Sequence, residues 1–250
     1  MIRLDGLTKR FGSLVAVDAL TLDIPAGQLF AFLGPNAAGK TTTIKMMAGL
    51  LKPTAGRVRI GTHDVHQSPV EAKRLLAYIP DCPFLYDKLT ANEMLMVVGE
   101  LFGMASPELE RQRDHWFEYF DLNDYRHELL ENLSHGTRQR VVFATAFVHS
   151  PRVIVVDEPM VGLDPRHGRL VKDALRNFAG RGGTVFLSTH VLSVAEELAD
   201  RIGIINHGRL AACGSLAELR KLGKDEELEK AFLAITEEPA SAVAAGKAPI

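Results

Sequence analysis

A phosphate-binding loop is the strongest chemical signal in this sequence. Eight consecutive residues match the pattern G-x-x-x-x-G-K-[ST], directly after the apolar run 29–33. In such a loop the backbone N–H groups face the phosphates, Lys40 neutralises the β- and γ-phosphates, and Thr41 offers a hydroxyl to Mg²⁺. The candidate nucleotide contacts are Gly34, Pro35, Asn36, Ala37, Ala38, Gly39, Lys40 and Thr41, together with the next residue, Thr42.

Two adjacent carboxylates form the second chemical signal. Asp157 and Glu158 follow the apolar run 153–156, so they lie at the carboxyl end of a predicted strand, where open α/β sheets bind ligands. Asp157 would hold Mg²⁺ directly or through water, and Glu158 would polarise an attacking water as general base. An ordinary strand that ends in acidic residues is the alternative, and the nearby phosphate loop disfavours it.

Periodicity predicts the elements that position these motifs. Residues 1–24 alternate between apolar and polar types, which indicates a small antiparallel sheet. From residue 90 to 150 the pattern is helical and begins with a capping box, Thr90 with Glu93. Apolar strands separated by helix-length segments then follow, as in a mostly parallel sheet, at 153–156, 184–188 and 201–206.

The predicted fold class is therefore α/β. We expect a P-loop NTPase core with a mostly parallel sheet, an N-terminal antiparallel β subdomain and a helical insertion at about residues 86–150. The final residues, 236–250, are rich in alanine and contain Pro239 and Pro249, so we expect a disordered tail there.

Composition excludes several other classes of protein. The net charge of −2 gives no general attraction to nucleic acid, so no nucleic-acid partner is expected. Two cysteines, Cys82 and Cys213, are too few for a disulfide framework. No secretory signal is recognisable at the start, and no segment reaches the ~20 apolar residues that cross a bilayer, so any membrane association should come through a partner.

Three further motifs give the chain a family resemblance. Residues 133–140 are similar to the signature L-S-G-G-Q-x-Q-R, residues 162–165 look like a D-loop, and residues 188–190 look like an H-loop. With the phosphate loop and Asp157-Glu158, five motifs follow in order. The chain thus resembles the nucleotide-binding subunits of ABC transporters over residues 1 to about 235, which would form one ATPase domain.

The resemblance implies a head-to-tail pair of ATPase subunits, as homodimer or heterodimer, with each ATP bound between them. The phosphate loop of one subunit would face Ser134 and Gly136 of the other, where a helix N-terminus attracts the γ-phosphate. By the same resemblance, His190 contacts the γ-phosphate and the attacking water, Asp164 belongs to the nucleotide-binding set, and Phe11 stacks on adenine.

Four positions depart from the family pattern. Ala37 replaces a usual glycine, which matters only if that residue needs a positive φ angle. In the signature, His135 replaces a glycine and Thr137 replaces a glutamine. Asp81 stands where the family commonly has a glutamine that touches Mg²⁺, and it could still meet the metal, although an ionised carboxylate cannot donate a hydrogen bond.

The resulting hypothesis is an ATP-binding and ATP-hydrolysing subunit that powers a membrane ABC transporter. It would dock on integral membrane subunits at the cytoplasmic face of the membrane, and the motifs resemble those of prokaryotic export-type (ABC-2-like) ATPases more than those of importers. The alternative is a soluble ABC ATPase that acts on ribosome or nucleic-acid assemblies, which usually carries two units or a basic face. The transported substance would be selected by the membrane subunit and is not encoded here.

Overall fold

The computed structural model describes residues 1–222 and 228–237. Within them, the strands in chain order are β1 (Ile2–Phe11), β2 (Leu14–Ile24), β3 (Leu29–Leu33), β4 (Ala55–Ile60), β5 (His63–Asp64), β6 (Leu76–Ile79), β7 (Val153–Asp157), β8 (Thr184–Thr189), β9 (Arg201–Asn206) and β10 (Arg209–Gly214). The α-helices are α1 (Lys40–Met47), α2 (Pro69–Arg74), α3 (Ala91–Leu101), α4 (Ser106–Tyr119), α5 (His135–Val148), α6 (Pro165–Gly180), α7 (Leu192–Leu198), α8 (Leu216–Leu222) and α9 (Leu228–Glu237).

The strands form two sheets, and the predicted α/β fold class is confirmed. The first sheet has the order β2-β1-β4-β5 and is antiparallel. The second has the order β10-β9-β3-β8-β7-β6, and its strands are parallel except for the edge strand β10. Every residue of β3, β7 and β8 is buried, as expected for parallel strands covered on both faces.

The register of the central strands brings their carboxyl ends to one edge. Strand β8 lies between β3 and β7, with Leu33 opposite Thr189 and Asp157 opposite Ser188. The loops that follow these three strands therefore start side by side. This is the edge at which the sequence places the phosphate loop, the carboxylate pair and His190.

The helical stretch between β6 and β7 packs around aromatic side chains. Both sides of the predicted capping box are present at α3, where Thr90 accepts from the backbone N–H of Glu93 and the Glu93 carboxylate accepts from the backbone N–H of Thr90. Trp116 stacks on Phe147 with ring centroids 4.5 Å apart, and Phe117 and Phe120 are fully buried. This part of the chain thus has its own apolar contacts.

The ends of two helices bear on the phosphate loop and on the predicted tail. Helix α1 ends at Met47, because Gly49 adopts φ +68° and the N–H of Leu50 turns back to the carbonyl of Lys45 at 2.9 Å. Helix α9 continues through Glu237, so residues 236 and 237 of the predicted tail are helical. The rest of the predicted tail, 238–250, lies outside the described residues. None of the helices described here has the length and apolar character needed to span a bilayer.

Candidate active site

The phosphate loop is held by close backbone contacts that require glycine at two positions. Gly39 has φ +108°, and a Cβ atom there would lie 2.5 Å from the carbonyl oxygen of Ala16 in β2. A Cβ atom at Gly34 would lie 2.5 Å from the carbonyl oxygen of Ile205 in β9. The loop therefore fits between the two sheets only because these residues have no side chain.

Lys40 occupies the interior of this loop. Its Nζ atom donates to the carbonyl oxygens of Gly34 at 2.7 Å and Pro35 at 3.0 Å, and the side chain is buried. Burial lowers the pKa of Lys40, while the charges of Glu158 and Asp157 act in the opposite direction. The Lys40 ammonium group, which is predicted to bind phosphate, is thus close enough to interact electrostatically with both predicted carboxylates, Asp157 and Glu158.

Ala37 adopts the left-handed conformation, with φ +63°. This φ angle is positive, so the replacement of the family glycine by Ala37 matters for the backbone here. An L-residue in this region has its Cβ atom too close to the following carbonyl oxygen, which costs about 1–2 kcal/mol. The phosphate loop therefore has local backbone strain that a glycine would remove.

Asp157 is buried at the end of β7 and has one oxygen without a partner. Its Oδ1 accepts a hydrogen bond from the Ser188 hydroxyl, whereas its Oδ2 is inaccessible and has no hydrogen-bond partner within the described ranges. Burial raises the pKa of Asp157, and the nearby hydroxyls of Ser188 and Thr41 act against that rise. A buried carboxylate oxygen without a partner, close to the Thr41 hydroxyl, fits the oxygen ligands that Mg²⁺ takes.

Glu158 is held at both carboxylate oxygens by residues at the end of β8. The Nδ1 atom of His190 lies 2.8 Å from Oε1, and the Thr189 hydroxyl donates to Oε2 at 3.2 Å. The Glu158 backbone has φ +47°, and its N–H donates to the carbonyl of Ser188 at 3.1 Å. The carboxylate therefore has a fixed orientation beside Lys40, as a general base requires.

Ser134, Gly136 and Asp164 form a second group, which is separate from the phosphate loop. Ser134 caps α5, and a Cβ atom at Gly136 would lie 3.2 Å from the carbonyl oxygen of Gly162 in the D-loop segment. Asp164 caps α6, and a hydrogen bond with His167 lowers its pKa to about 2. In the described part of the chain, no hydrogen bond or ion pair joins Ser134 or Gly136 to the loop 34–41.

Two further predicted residues lie at the periphery. Phe11 ends β1 and is 48% exposed, with the Lys9 ammonium 5.1 Å from its ring centroid, so its ring is free to meet a ligand. Asp81 follows β6, the strand next to β7, and its Oδ1 accepts from the backbone N–H of Cys82 at 2.9 Å. The charge of Asp81 also helps to raise the pKa of Asp157, so Asp81 is close enough to interact electrostatically with that carboxylate.

Sequence reasoning did not assign roles to Ser188 and Thr189, although each donates a hydrogen bond to one of the two carboxylates. Their signal was present, because two hydroxyl residues directly precede His190 at the end of an apolar strand. Recognising it required knowing that β8 pairs with β7, so that Ser188 stands opposite Asp157.

Comparisons with known proteins agree with this arrangement. Residues 17–161 match the family described as ABC transporter. The chain is 39% identical over 88% of its length to the daunorubicin/doxorubicin resistance ATP-binding protein DrrA of Streptomyces peucetius, and 31% identical over 95% to the linearmycin resistance ATP-binding protein LnrL of Bacillus subtilis. The matched regions make up 66% and 76% of those two relatives.

A solved structure of an ATP-binding subunit of an ABC transporter gives the same result at the level of the fold. It superposes with a TM-score of 0.90 and 29% sequence identity, covering 94% of this chain and 99% of that one. The sequence motifs, the strand order and the family match thus lead to one conclusion. The chain belongs to the ABC transporter family and is an ATP-hydrolysing ATP-binding subunit of that family.

Proposed function

We propose that this subunit powers a membrane exporter by closing, together with a second ATPase subunit, around bound ATP. The observation that supports this most strongly is the separation of the two halves of the site within one chain. Lys40 and Glu158 lie at the edge of the parallel sheet, whereas Ser134, which is exposed, lies at the start of α5 without a bond to the phosphate loop. A second subunit in head-to-tail orientation would supply the missing half.

On the nucleotide side, ATP would take the place of the loop carbonyls as the partner of Lys40. The Gly34–Thr41 backbone, with Thr42, would surround the phosphates, and the exposed ring of Phe11 would stack on adenine. The Lys40 ammonium would bind the β- and γ-phosphates more strongly than it binds two neutral carbonyl oxygens, because the acceptors are then charged. Nucleotide binding would therefore exchange the hydrogen-bond partners of Lys40 from loop carbonyls to phosphate oxygens.

Hydrolysis would proceed by attack of water on the γ-phosphorus. Glu158 would accept a proton from that water, the new bond would form between the water oxygen and phosphorus, and the bond from phosphorus to the β,γ-bridging oxygen would break, giving ADP and phosphate. His190 would hold Glu158 and, since its side chain is 51% exposed, would also reach the γ-phosphate.

Thr41 and Asp157 are the residues that would hold Mg²⁺, and Asp81 is a further candidate. When bound, the ion would neutralise charge on the β- and γ-phosphate oxygens. The support for this assignment is the buried Oδ2 of Asp157, which has no protein partner in the described residues.

The partner's half of the site would be Ser134, the N–H of Gly136 and Asp164. Ser134 and the N-terminus of α5 would offer hydrogen-bond donors and a positive dipole end to the γ-phosphate of the opposite subunit. Asp164 would lie near the same interface, since the segment before it contacts the start of α5. ATP would then stabilise the dimer, and hydrolysis would release it.

The surface that would face the membrane partner adjoins Asp81. In the loop after β6, Phe84 is 80% exposed and Tyr86 is 59% exposed. Neighbouring exposed apolar side chains that form a contiguous patch are typical of an interaction site. We propose that integral membrane subunits dock here at the cytoplasmic face, with residues 1–235 acting as the ATPase domain and 86–150 as its helical part.

Export as the direction of transport is supported by the relatives, whose names describe resistance to daunorubicin, doxorubicin and linearmycin. The experiment is to tag the chain in its own cell, extract membranes with mild detergent and identify the proteins that co-purify. Recovery of a multi-spanning membrane protein, lost when Phe84 and Tyr86 are both changed to Ser, is the expected result. Recovery with ribosomes or nucleic acid instead would favour a soluble ABC ATPase and contradict the proposal.

A further inference from the structure

Ser134 begins a short chain of hydrogen bonds that leads into the protein. Its Oγ lies 2.9 Å from Oγ1 of Thr137 and accepts from the Thr137 backbone N–H at 3.2 Å. The guanidinium of Arg140 in turn donates to Thr137 Oγ1 at 3.2 Å. Thr137 and Arg140 are buried, whereas Ser134 is exposed.

Arg140 fixes the inner end of this chain. Its Nη1 atom donates to the carbonyl oxygens of Phe120 and Asp121, each at 2.7 Å. Arginine carries only donors, so Thr137 Oγ1 must act as the acceptor in its bond with Arg140. One lone pair of the Thr137 hydroxyl is thereby occupied, and its proton needs an acceptor elsewhere.

Ser134 Oγ is the acceptor that the described residues place within reach of that proton. If Ser134 donated instead, the buried Thr137 proton would have no acceptor, and an unsatisfied buried donor costs about 1–3 kcal/mol. The favoured direction is therefore from Arg140 to Thr137 to Ser134. Ser134 Oγ then accepts from both the hydroxyl and the backbone N–H of Thr137, and its own proton is free to point outward.

We infer that Thr137 is a positioning residue that makes the Ser134 hydroxyl a donor toward the γ-phosphate of the opposite subunit. This inference rests on the proposed function, because it assumes that Ser134 meets that phosphate. It assigns a role to the position at which the chain departs from the family glutamine. The two hydrogen bonds that Ser134 Oγ accepts fix the direction of its own O–H group before the subunits close. Less rotational entropy is then lost on closure, which strengthens the bond to a phosphate oxygen.

A double-mutant cycle on the purified full chain tests the inference. The variants are Thr137→Val, which keeps the shape but removes the hydroxyl, Thr137→Ser, which restores it, Ser134→Ala, and Ser134→Ala combined with Thr137→Val. Steady-state ATP hydrolysis gives kcat and KM for each variant, and thermal unfolding confirms that each is folded. Thr137→Ser also serves as the control for packing, since it removes a buried methyl group but keeps the relay.

We expect Ser134→Ala to lower kcat/KM about tenfold or more, as for a lost hydrogen bond to a charged group, and Thr137→Val to lower it about three- to tenfold. Thr137→Ser should stay within about twofold of the wild type, and the double variant should match Ser134→Ala alone. Two results would overturn the relay while leaving the proposed function intact: an unchanged kcat/KM in Thr137→Val, or a loss in the double variant equal to the product of the single losses. An unchanged kcat/KM in Ser134→Ala would instead contradict the proposed function itself.

Discussion

His190 Nδ1 lies 2.8 Å from Oε1 of Glu158, so the residue that follows β8 fixes the carboxylate that follows β7. Thr189 holds the other oxygen, and the same hydroxyl accepts from the backbone N–H of Val191 at 3.0 Å. The orientation of the proposed general base thus depends on the pairing of two parallel strands. Changes at the end of β8 should therefore alter hydrolysis without altering the phosphate loop.

Thr189→Val should slow hydrolysis selectively. The substitution keeps the buried shape but removes one hydrogen bond to the Glu158 carboxylate, a loss of about 1–1.5 kcal/mol in a step that depends on its orientation. We expect kcat to fall about tenfold, with ATP affinity unchanged within about twofold. Thr189→Ser retains the hydroxyl and should behave like the wild type. An unchanged kcat in Thr189→Val, or a loss in Thr189→Ser as large as that in Thr189→Val, would contradict the role of the hydroxyl.

Lys40→Met should weaken nucleotide binding. The variant keeps the length and apolar stem of the side chain but lacks the ammonium group that would bind the phosphates. We expect the dissociation constant for ATP, measured by calorimetry with Mg²⁺, to rise at least tenfold. Lys45 lies on the exposed side of the same helix, so Lys45→Met is the matched control and should bind normally. Binding by Lys40→Met within about twofold of the wild type would contradict the phosphate-loop assignment.

Ala37→Gly should stabilise the protein. Relief of the strain at φ +63° exceeds the entropic cost of a glycine, which leaves a net gain of about 0.5–1 kcal/mol in the free energy of unfolding. Urea denaturation of the nucleotide-free protein measures this gain. Ala38→Gly is the control, because Ala38 is buried outside the left-handed region and should be destabilised by the same change. A loss of stability in both variants would show that Ala37 is not strained.

His149 should make the fold sensitive to acid. Its ring stacks on Phe102 at 3.7 Å, both ring nitrogens lack a partner within the described residues, and burial lowers its pKa to about 4. The unfolded chain, with an ordinary histidine pKa of about 6.5, binds the proton first, so stability is fully present above about pH 6.5 and declines as the pH falls toward 4.

The comparison of the wild type with His149→Phe isolates this contribution, since all other titrating groups are shared. Between pH 7.5 and 5.5 the wild type should lose about 1.4 kcal/mol more unfolding free energy than the variant. Parallel stability curves for the two proteins over this range would show that His149 does not titrate with a depressed pKa.

The chemistry of the nucleotide side was predictable from local sequence. A glycine-lysine loop after an apolar strand and a carboxylate pair after another are each encoded in fewer than fifteen consecutive residues. The parallel sheet follows from its continuous apolar runs, and the start of α3 follows from its capping box. These features depend on neighbours in the chain, which is why sequence reasoning reaches them.

The remaining features depend on contacts between distant segments. The hydroxyl of Thr189 meets Glu158 across 31 positions of the chain, and Arg140 meets the carbonyl of Phe120 across 20. Helix α2 and the two-residue strand β5 are too short to produce a periodic pattern, and tertiary packing stabilises them. The sequence indicated only that Ala37 would matter if its φ angle were positive. It did not predict that angle, because a residue type alone does not determine φ.

The oligomeric state of Glu158→Gln with ATP and Mg²⁺ tests the central claim most directly. The substitution removes the general base but keeps the shape, so ATP should bind normally while turnover falls about a hundredfold or more. Light scattering after size-exclusion chromatography should show a dimer with ATP, a monomer with ADP, and a monomer with ATP when Ser134→Ala is added. A protein that binds ATP fully yet stays monomeric in every case, or hydrolysis that is unchanged by Glu158→Gln, would contradict the account.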